Sequence, residues 1–358
     1  MFMYSSFGAK ALESFTVFFT RAKARFIRSV LKSLRVSRKE LISLENGEYL
    51  GLIKKVEIAK YSSNSFIELS HGRDGNVQIF GLQARSLVRV EGVVLDTKSG
   101  MIFDGKKRIL EESSSWPGAQ LMLNSVPKPK LAKPFNDLND REILLLPGNS
   151  FYHWLIEDLP PLLFALEKLA DPVLLVNNRV PKYVMDFKET LQLDVVAAPR
   201  YIQLDRYCFT TKNPSSGWPE PVDVMVLRQH FAKVLEQAKK RSKVYVSRLK
   251  ASRSPEFESK LIDLLRQDGW EILFLELMEL TEQIKSIAGA EVVCGVGGAG
   301  LSHIVWMNEN SQVIELSPSW YVPCFARLSG LLKLNYSFIS FQDEKASTIF
   351  LKITSLVQ

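Results

Sequence analysis

Four glycines stand in six positions, Gly295-Val-Gly-Gly-Ala-Gly300, directly after the apolar run Glu291-Val-Val-Cys294 and before Leu301-Ser-His303. A chain gives up side chains like this where the backbone must turn with φ > 0, or where another group must come close to bare N–H groups. Strand, glycine loop and helix together present backbone donors and a helix N-terminus to an anion, usually a phosphate. A plain turn from strand to helix needs only one or two glycines. The loop therefore predicts a ligand, and it predicts an α/β sheet to carry that ligand.

The rest of the chain agrees with this. After residue 140, strand-like apolar runs occur at 143–146, 173–177, 195–198, 244–247, 271–275, 292–295 and 313–316. Helical patterns lie between most of them, at 154–169, 181–191, 222–240, 255–267, 281–288 and 299–307. Apolar strands alternating with helices predict parallel sheets covered on both faces. Such sheets bind ligands at the carboxyl ends of their strands. Residues 46–125 read instead as short strands, at 49–58, 66–69, 77–80, 86–95 and 101–103, with turn signals between them. A Pro- and Lys-rich connector follows at 124–141, and the stretch 211–222, Thr-Lys-Asn-Pro-Ser-Ser-Gly-Trp-Pro-Glu-Pro-Val, reads as the link between two α/β units. The expected organisation is a basic segment 1–45, an acceptor-side unit 46–215 with a β-rich start, a donor-binding unit 216–340 and a tail 341–358.

Charge narrows the partners. The chain carries a net +7, but residues 1–45 hold nine Lys/Arg and three Glu, so nearly all of the excess sits in one segment. A nucleic-acid footprint would need basic residues spread over a binding face, and none is expected. Phe15, Phe18, Phe19, Phe26, Ile27, Val30, Leu31 and Leu34 recur among these cations at near-helical spacing. The pattern suits either a helix lying on an anionic membrane surface or one packed on the protein body. The three cysteines, Cys208, Cys294 and Cys324, form no Cys-x-x-Cys, which fits a reducing compartment. Glu13 interrupts the first apolar stretch and cations follow it rather than precede it, a poor pattern for a signal peptide. A cytoplasmic protein, peripheral to the membrane at most, is expected.

Two further motifs carry chemistry. In Asn149-Ser-Phe-Tyr-His-Trp-Leu-Ile-Glu-Asp-Leu-Pro160, His153 falls in a first helical turn, where the helix dipole favours neutral imidazole, the form of a general base. Glu157 at i+4 shares its face, while Asp158 points away from it. A hydrogen-bonded structural histidine is the alternative. In Lys243-Val-Tyr-Val-Ser-Arg248, with Lys250 and Arg253 beyond, cations leave the carboxyl end of a strand, where a diphosphate would lie. A solvated charged loop is the alternative here. Gly295, Gly297 and Gly300 also satisfy Gly-x-Gly-x-x-Gly, with Glu315 twenty residues beyond the first, so an NAD(P)-dependent oxidoreductase is a rival reading. The loop's late position and the short helix behind it speak against that reading.

Asn149…Tyr152-His153-Trp154…Asp158-Leu-Pro160, Val244-Tyr-Val-Ser-Arg248, Glu282-Gln283-Ile284, Ala290 to Leu301 and Val313-Ile-Glu-Leu316 occur in that order. Over residues 140 to 318 the chain resembles glycosyltransferase family 61, whose bacterial members are described as capsular polysaccharide biosynthesis proteins. The resemblance implies a GT-B fold, two Rossmann-like units facing across a cleft. It implies an inverting hexosyl- or pentosyltransferase that uses a nucleotide-sugar donor, commonly UDP-linked, with no cofactor and no required metal. The acceptor would be a glycan or a lipid-linked sugar. Donor-binding residues would be Arg248, Arg253, Glu282, Gly297, Gly298, Ala299, Gly300, Leu301 and Glu315, and the base His153 or Asp158. The absence of any Asp-x-Asp agrees with a metal-free site. One position departs: Gly297 stands where the family commonly has His, so that residue's donor contact is lost or moved, with His303 the candidate. A catalytically silent sugar- or nucleotide-binding relative is the third reading.

Overall fold

A computed structural model describes residues 41–42, 54–62, 65–69 and 78–82, and from 84 to 357 all but 107, 114–131, 136–137, 139–140, 147, 149, 192–194, 213–216, 218, 252–253, 319–323 and 343. The basic segment, apart from the short strand at its end, lies outside the described residues, as does Arg253.

The β-rich start forms a seven-stranded mixed sheet in the order β1-β7-β6-β5-β12-β8, with β2 also paired to β5. Its strands are β1 (Leu41–Ile42), β2 (Lys54–Ser62), β5 (Arg85–Asp96), β6 (Ile102–Phe103), β7 (Ile109–Leu110), β8 (Lys133–Pro134) and β12 (Tyr201–Thr210). A separate antiparallel pair joins β3 (Ser65–Leu69) to β4 (Gln78–Leu82). The pairing of β12 with β5, antiparallel from Tyr201↔Asp96 to Thr210↔Leu87, closes the sheet over a return strand that the apolar-run pattern missed. Its first half alternates buried Ile202 and Leu204 with exposed Gln203 and Asp205, so it carries no continuous apolar run.

Behind this sheet lies a parallel one, ordered β11-β10-β9: β9 (Ile143–Leu146), β10 (Val173–Asn177) and β11 (Val195–Ala198). Its residues alternate between two cores. Ile143, Leu145 and Leu175 meet the mixed sheet, while Leu144, Leu146, Leu174 and Val176 meet helices. Burial on both faces explains why β9 and β10 read as near-continuous apolar runs. The helix after β9, here α1, starts as Phe151–His153, widens into a π-turn over Trp154–Asp158 and continues as Leu159–Lys168. The helix after β10 is α2 (Lys182–Leu191).

The C-terminal sheet is wholly parallel, ordered β14-β13-β15-β16-β17: β13 (Arg241–Val246), β14 (Glu271–Leu273), β15 (Ala290–Val296), β16 (Gln312–Ser317) and β17 (Asn335–Ser340). Its helices are α3 (Pro221–His230), α4 (Ala232–Leu235), α5 (Glu258–Gln267), α6 (Leu280–Ala288), α7 (Cys324–Leu331) and α8 (Ala346–Thr354). The expected single helix at 222–240 is two, α3 and α4, broken at Phe231. Residues 346–354, expected as part of a tail, place Ala346, Ile349 and Ile353 in the core with Leu261 and Leu265 of α5. Between β15 and β16 the expected helix is a 3₁₀ segment, Ala299–Trp306.

The halves meet over a continuous apolar core that runs from Trp154 and Leu155 of α1 to Leu301, Trp306 and Phe325. They are also tied by a buried charge cluster. The Arg85 guanidinium donates to Glu220 and Asp223 at 3.2 Å, and the Tyr61 hydroxyl donates to Asp223 at 2.7 Å, at the N-terminus of α3. A buried cation needs such partners, because losing one leaves an uncompensated charge.

Candidate functional site

The strand order of the C-terminal sheet creates the site. β13 lies between β14 and β15, so the chain leaves β13 towards one edge of the sheet and later continues towards the other. Ligands bind at such switch points, outside the carboxyl ends of the strands. Arg248 follows β13, and the loop 297–300 follows β15, so they come together at the crevice. A dinucleotide fingerprint belongs to the first strand–helix turn of its unit, whereas here the glycine loop follows the unit's third strand. That placement removes the support for the oxidoreductase reading.

The crevice opens into a cavity of about 670 Å³ whose walls include His153, Arg248, Gly297, Gly298, Ala299 and Glu315. Six of the residues expected at the site thus meet in one place, drawn from both halves of the chain.

The glycines serve close approach rather than a turn. None of Gly295, Gly297, Gly298 and Gly300 is in the left-handed region. A Cβ on Gly297 would lie 2.6 Å from Glu315 Oε1, and one on Gly298 would lie 2.9 Å from Arg248 Nη1. Gly295 and Gly300 instead admit Val246, at 3.1 Å in both cases. Gly297 N–H is spent on the Leu316 carbonyl at 2.7 Å, and the Arg248 guanidinium donates to the Gly297 carbonyl at 2.7 Å. The carbonyl of Gly298 accepts from Leu301 N–H at the start of the 3₁₀ segment. The N–H groups of Gly298, Ala299 and Gly300 make no hydrogen bond to the described residues, which leaves them for an anion.

Arg248 is held by a residue that the sequence did not single out. Glu258, fully buried at the start of α5, accepts from Arg248 N–H at 2.6 Å, the Ser254 hydroxyl at 2.7 Å and the Tyr245 hydroxyl at 3.2 Å. One carboxylate thus shapes the loop that carries the arginine.

His153 enters the cavity from the other side. Its Nδ1 lies 2.9 Å from Glu157 Oε2, and the other oxygen of Glu157 accepts the N–H of Gly217. Gly217, at φ +87 in the linker, is in a conformation that favours glycine. The linker thereby fixes Glu157, and Glu157 fixes the imidazole. A carboxylate therefore acts on the ring besides the helix start: the hydrogen bond to the Glu157 carboxylate raises the His153 pKa above its ordinary value. The i, i+4 spacing was visible in the sequence, but its electrostatic weight was not. Tyr152 packs edge-on against both His153 and Phe325 and brings its hydroxyl to the Gly217 carbonyl at 3.4 Å.

Glu315 is buried at the cavity wall and accepts from the Tyr336 hydroxyl at 2.6 Å. Desolvation raises its pKa to about 7, against the lowering effect of that hydrogen bond.

The remaining expected residues are placed elsewhere. Asp158 is buried away from the large cavity and accepts from Lys212 at 2.7 Å, beside a void of only about 60 Å³. Glu282 pairs on the surface with Lys285 at 3.1 Å and lines neither of the two larger cavities; its neighbour Gln283 lines the smaller one. Leu301 is core, and Gly300 and His303 face that smaller cavity. His303 therefore does not replace a side chain at position 297. Among the described residues no cluster of three or more His, Cys, Asp or Glu is placed to hold a metal ion, and no helix is long and apolar enough to cross a membrane.

The structure is thus an α/β protein with backbone N–H groups at a switch point and a histidine across a cavity from them. Residues 151–314 match the family model Glycosyltransferase 61. The matched segment contains His153, Glu157, Arg248 and the glycine loop, and Glu315 follows directly after it. No curated protein is similar enough in sequence to count as a relative.

Proposed function

We propose that the chain moves a sugar from a nucleotide-sugar donor, UDP-linked in the first instance, to a hydroxyl of a glycan or lipid-linked acceptor, with inversion and without a metal. The observation that carries this reading is the meeting around one cavity of Arg248, Gly298 and Ala299 with their unspent N–H groups, and His153, which Glu157 holds. The acceptor O–H gives its proton to His153. The acceptor oxygen bonds to the anomeric carbon as the bond from that carbon to the diphosphate oxygen breaks. Arg248 and the N–H groups of 298–300 receive the charge that develops on the leaving diphosphate. Glu157 holds the imidazole and stabilises the imidazolium formed. A single base and in-line attack lead to inversion. The GT-B reading is supported by the five-stranded C-terminal sheet and the cavity between the halves, although the first half contributes a parallel sheet of only three strands.

A thermal-shift titration tests the donor class, since any ligand of the native state stabilises it. UDP or another nucleoside diphosphate raises Tm with EDTA present, and NAD and NADP do not. Loss of the shift on chelation overturns the metal-free mechanism, and a shift with NAD alone overturns the transferase reading.

The two shifted groups set a pH profile. His153 must be unprotonated to act, so kcat/KM climbs as pH rises through its raised pKa. Glu315 must stay protonated beside the diphosphate, so donor capture falls as pH rises through about 7. The expected profile is a narrow bell. Glu315→Gln removes the alkaline limb and keeps the acid one. An unchanged alkaline limb in that variant assigns it to another group.

A further inference from the structure

Behind the glycine loop lies a second cavity of about 290 Å³, which shares Ala299 with the large one. The rings of Phe151, Tyr183 and His303 line it, with Gln283, Leu275 and Met278. Two of its polar side chains are locked. The Trp306 indole N–H donates to His303 Nδ1 at 3.2 Å. An indole nitrogen only donates, so Nδ1 is the acceptor and the neutral ring carries its proton on Nε2. Burial keeps that ring neutral by lowering its pKa to about 3. The Gln283 amide nitrogen donates to the carbonyls of Leu275 and Met278, both at 2.9 Å, which leaves Oε1 as the amide's remaining acceptor. Gln283 is 8% exposed and His303 1%, so neither group is free to reorient.

We propose that this smaller cavity receives the base of the donor nucleotide, reading a heterocycle that offers an N–H and a carbonyl, with the diphosphate crossing at Ala299 to reach Arg248. The proposal rests on the reading of the chain as a nucleotide-sugar transferase and adds where, and by which groups, the nucleotide is recognised. The N–H groups of Ala299 and Gly300 stand at the wall between the cavities, where a linking diphosphate would pass. One fixed donor and one fixed acceptor among aromatic rings suit a flat heterocycle. A saccharide, with hydroxyls on every carbon, would leave most of its groups unpaired there. His153 and the sugar-transfer chemistry stay in the large cavity.

Calorimetric titration of the full chain with UDP, GDP, ADP and inorganic pyrophosphate tests this. The unaltered protein should bind the nucleotide whose base fits this donor–acceptor pair about tenfold or more tightly than inorganic pyrophosphate. Gln283→Leu should weaken that nucleotide by about tenfold and leave pyrophosphate within about twofold. Met278→Trp, at a half-buried wall position packed against the core, should fill the cavity, with a thermal melt to check that the variant folds. It should weaken every nucleoside diphosphate by about tenfold and leave pyrophosphate within about twofold. If the unaltered protein binds UDP and both variants keep its affinity and selectivity, the base sits elsewhere, and the proposal falls while the transferase reading stands. If no nucleoside diphosphate binds the unaltered protein, both fall together.

Discussion

Replacing His153 with alanine lowers turnover by about 10²–10⁴-fold, the usual worth of a positioned general base, while donor affinity stays near that of the unaltered protein. His153 lies on α1, in the half of the chain opposite Arg248 and the glycine loop, and the groups that face the diphosphate do not include it. Its ring is half-exposed to the cavity and is hydrogen-bonded to Glu157. Removing it therefore deletes a proton acceptor and leaves the anion site intact. Glu157→Gln separates orientation from basicity. The amide can still hold the ring, but the carboxylate that raises the histidine pKa is gone. Turnover then falls less than in His153→Ala, and the acid limb of the profile moves to lower pH. Steady-state kinetics over pH, with donor Kd measured separately, distinguish these outcomes. Near-normal turnover in His153→Ala, with Asp158→Ala inactive yet folded, would transfer the role of base to Asp158. The pair of buried Asp158 with half-buried Lys212 argues that Asp158→Ala loses stability instead, because it leaves the cation without that carboxylate.

Residues whose burial follows from local pattern were legible in the sequence. The runs 143–146, 173–177 and 195–198 coincide with β9, β10 and β11; β9 and nearly all of β10 are buried on both faces and so are almost wholly apolar. That His153, Arg248 and the glycine loop share one cavity was legible because each follows a strand, and α/β sheets gather such groups at their strand ends. What could not be read depends on distant partners. β12 exists because β5 offers it an antiparallel edge, and β17 and α8 because β16 and α5 offer them a surface. Glu258 acts through a loop ten residues upstream, and Gly217 through a carboxylate sixty residues away. Asp158 and Glu282 fell within the right motifs, but helix geometry turned them from the cavity. A motif locates an element more reliably than it picks the working side chain on that element.

Arg248→Ala should show the opposite pattern to His153→Ala, with donor affinity lost as well as rate, and a fall in kcat of about 10²–10³-fold. The guanidinium is the charged donor fixed at the loop, and its N–H fork matches a diphosphate in a way that a lysine ammonium does not, so Arg248→Lys should recover only part of the loss. The glycines supply a second test that keeps the arginine in place. A Cβ on Gly298 would lie 2.9 Å from Nη1, which is the mobile end of a long side chain, so Gly298→Ala should displace the guanidinium at little cost in stability. Gly289 is the contrast, because a Cβ there would lie 1.9 Å from the Lys239 carbonyl oxygen, and backbone cannot yield cheaply. Gly289→Ala should therefore lower Tm, while Gly298→Ala should leave Tm nearly unchanged and weaken the donor as Arg248→Ala does. If Arg248→Ala binds UDP as tightly as the unaltered protein, the diphosphate does not lie at the switch point. If Gly298→Ala alone keeps full affinity, the guanidinium has room to reach the diphosphate from elsewhere, and the closeness of Gly298 to Arg248 is packing without function.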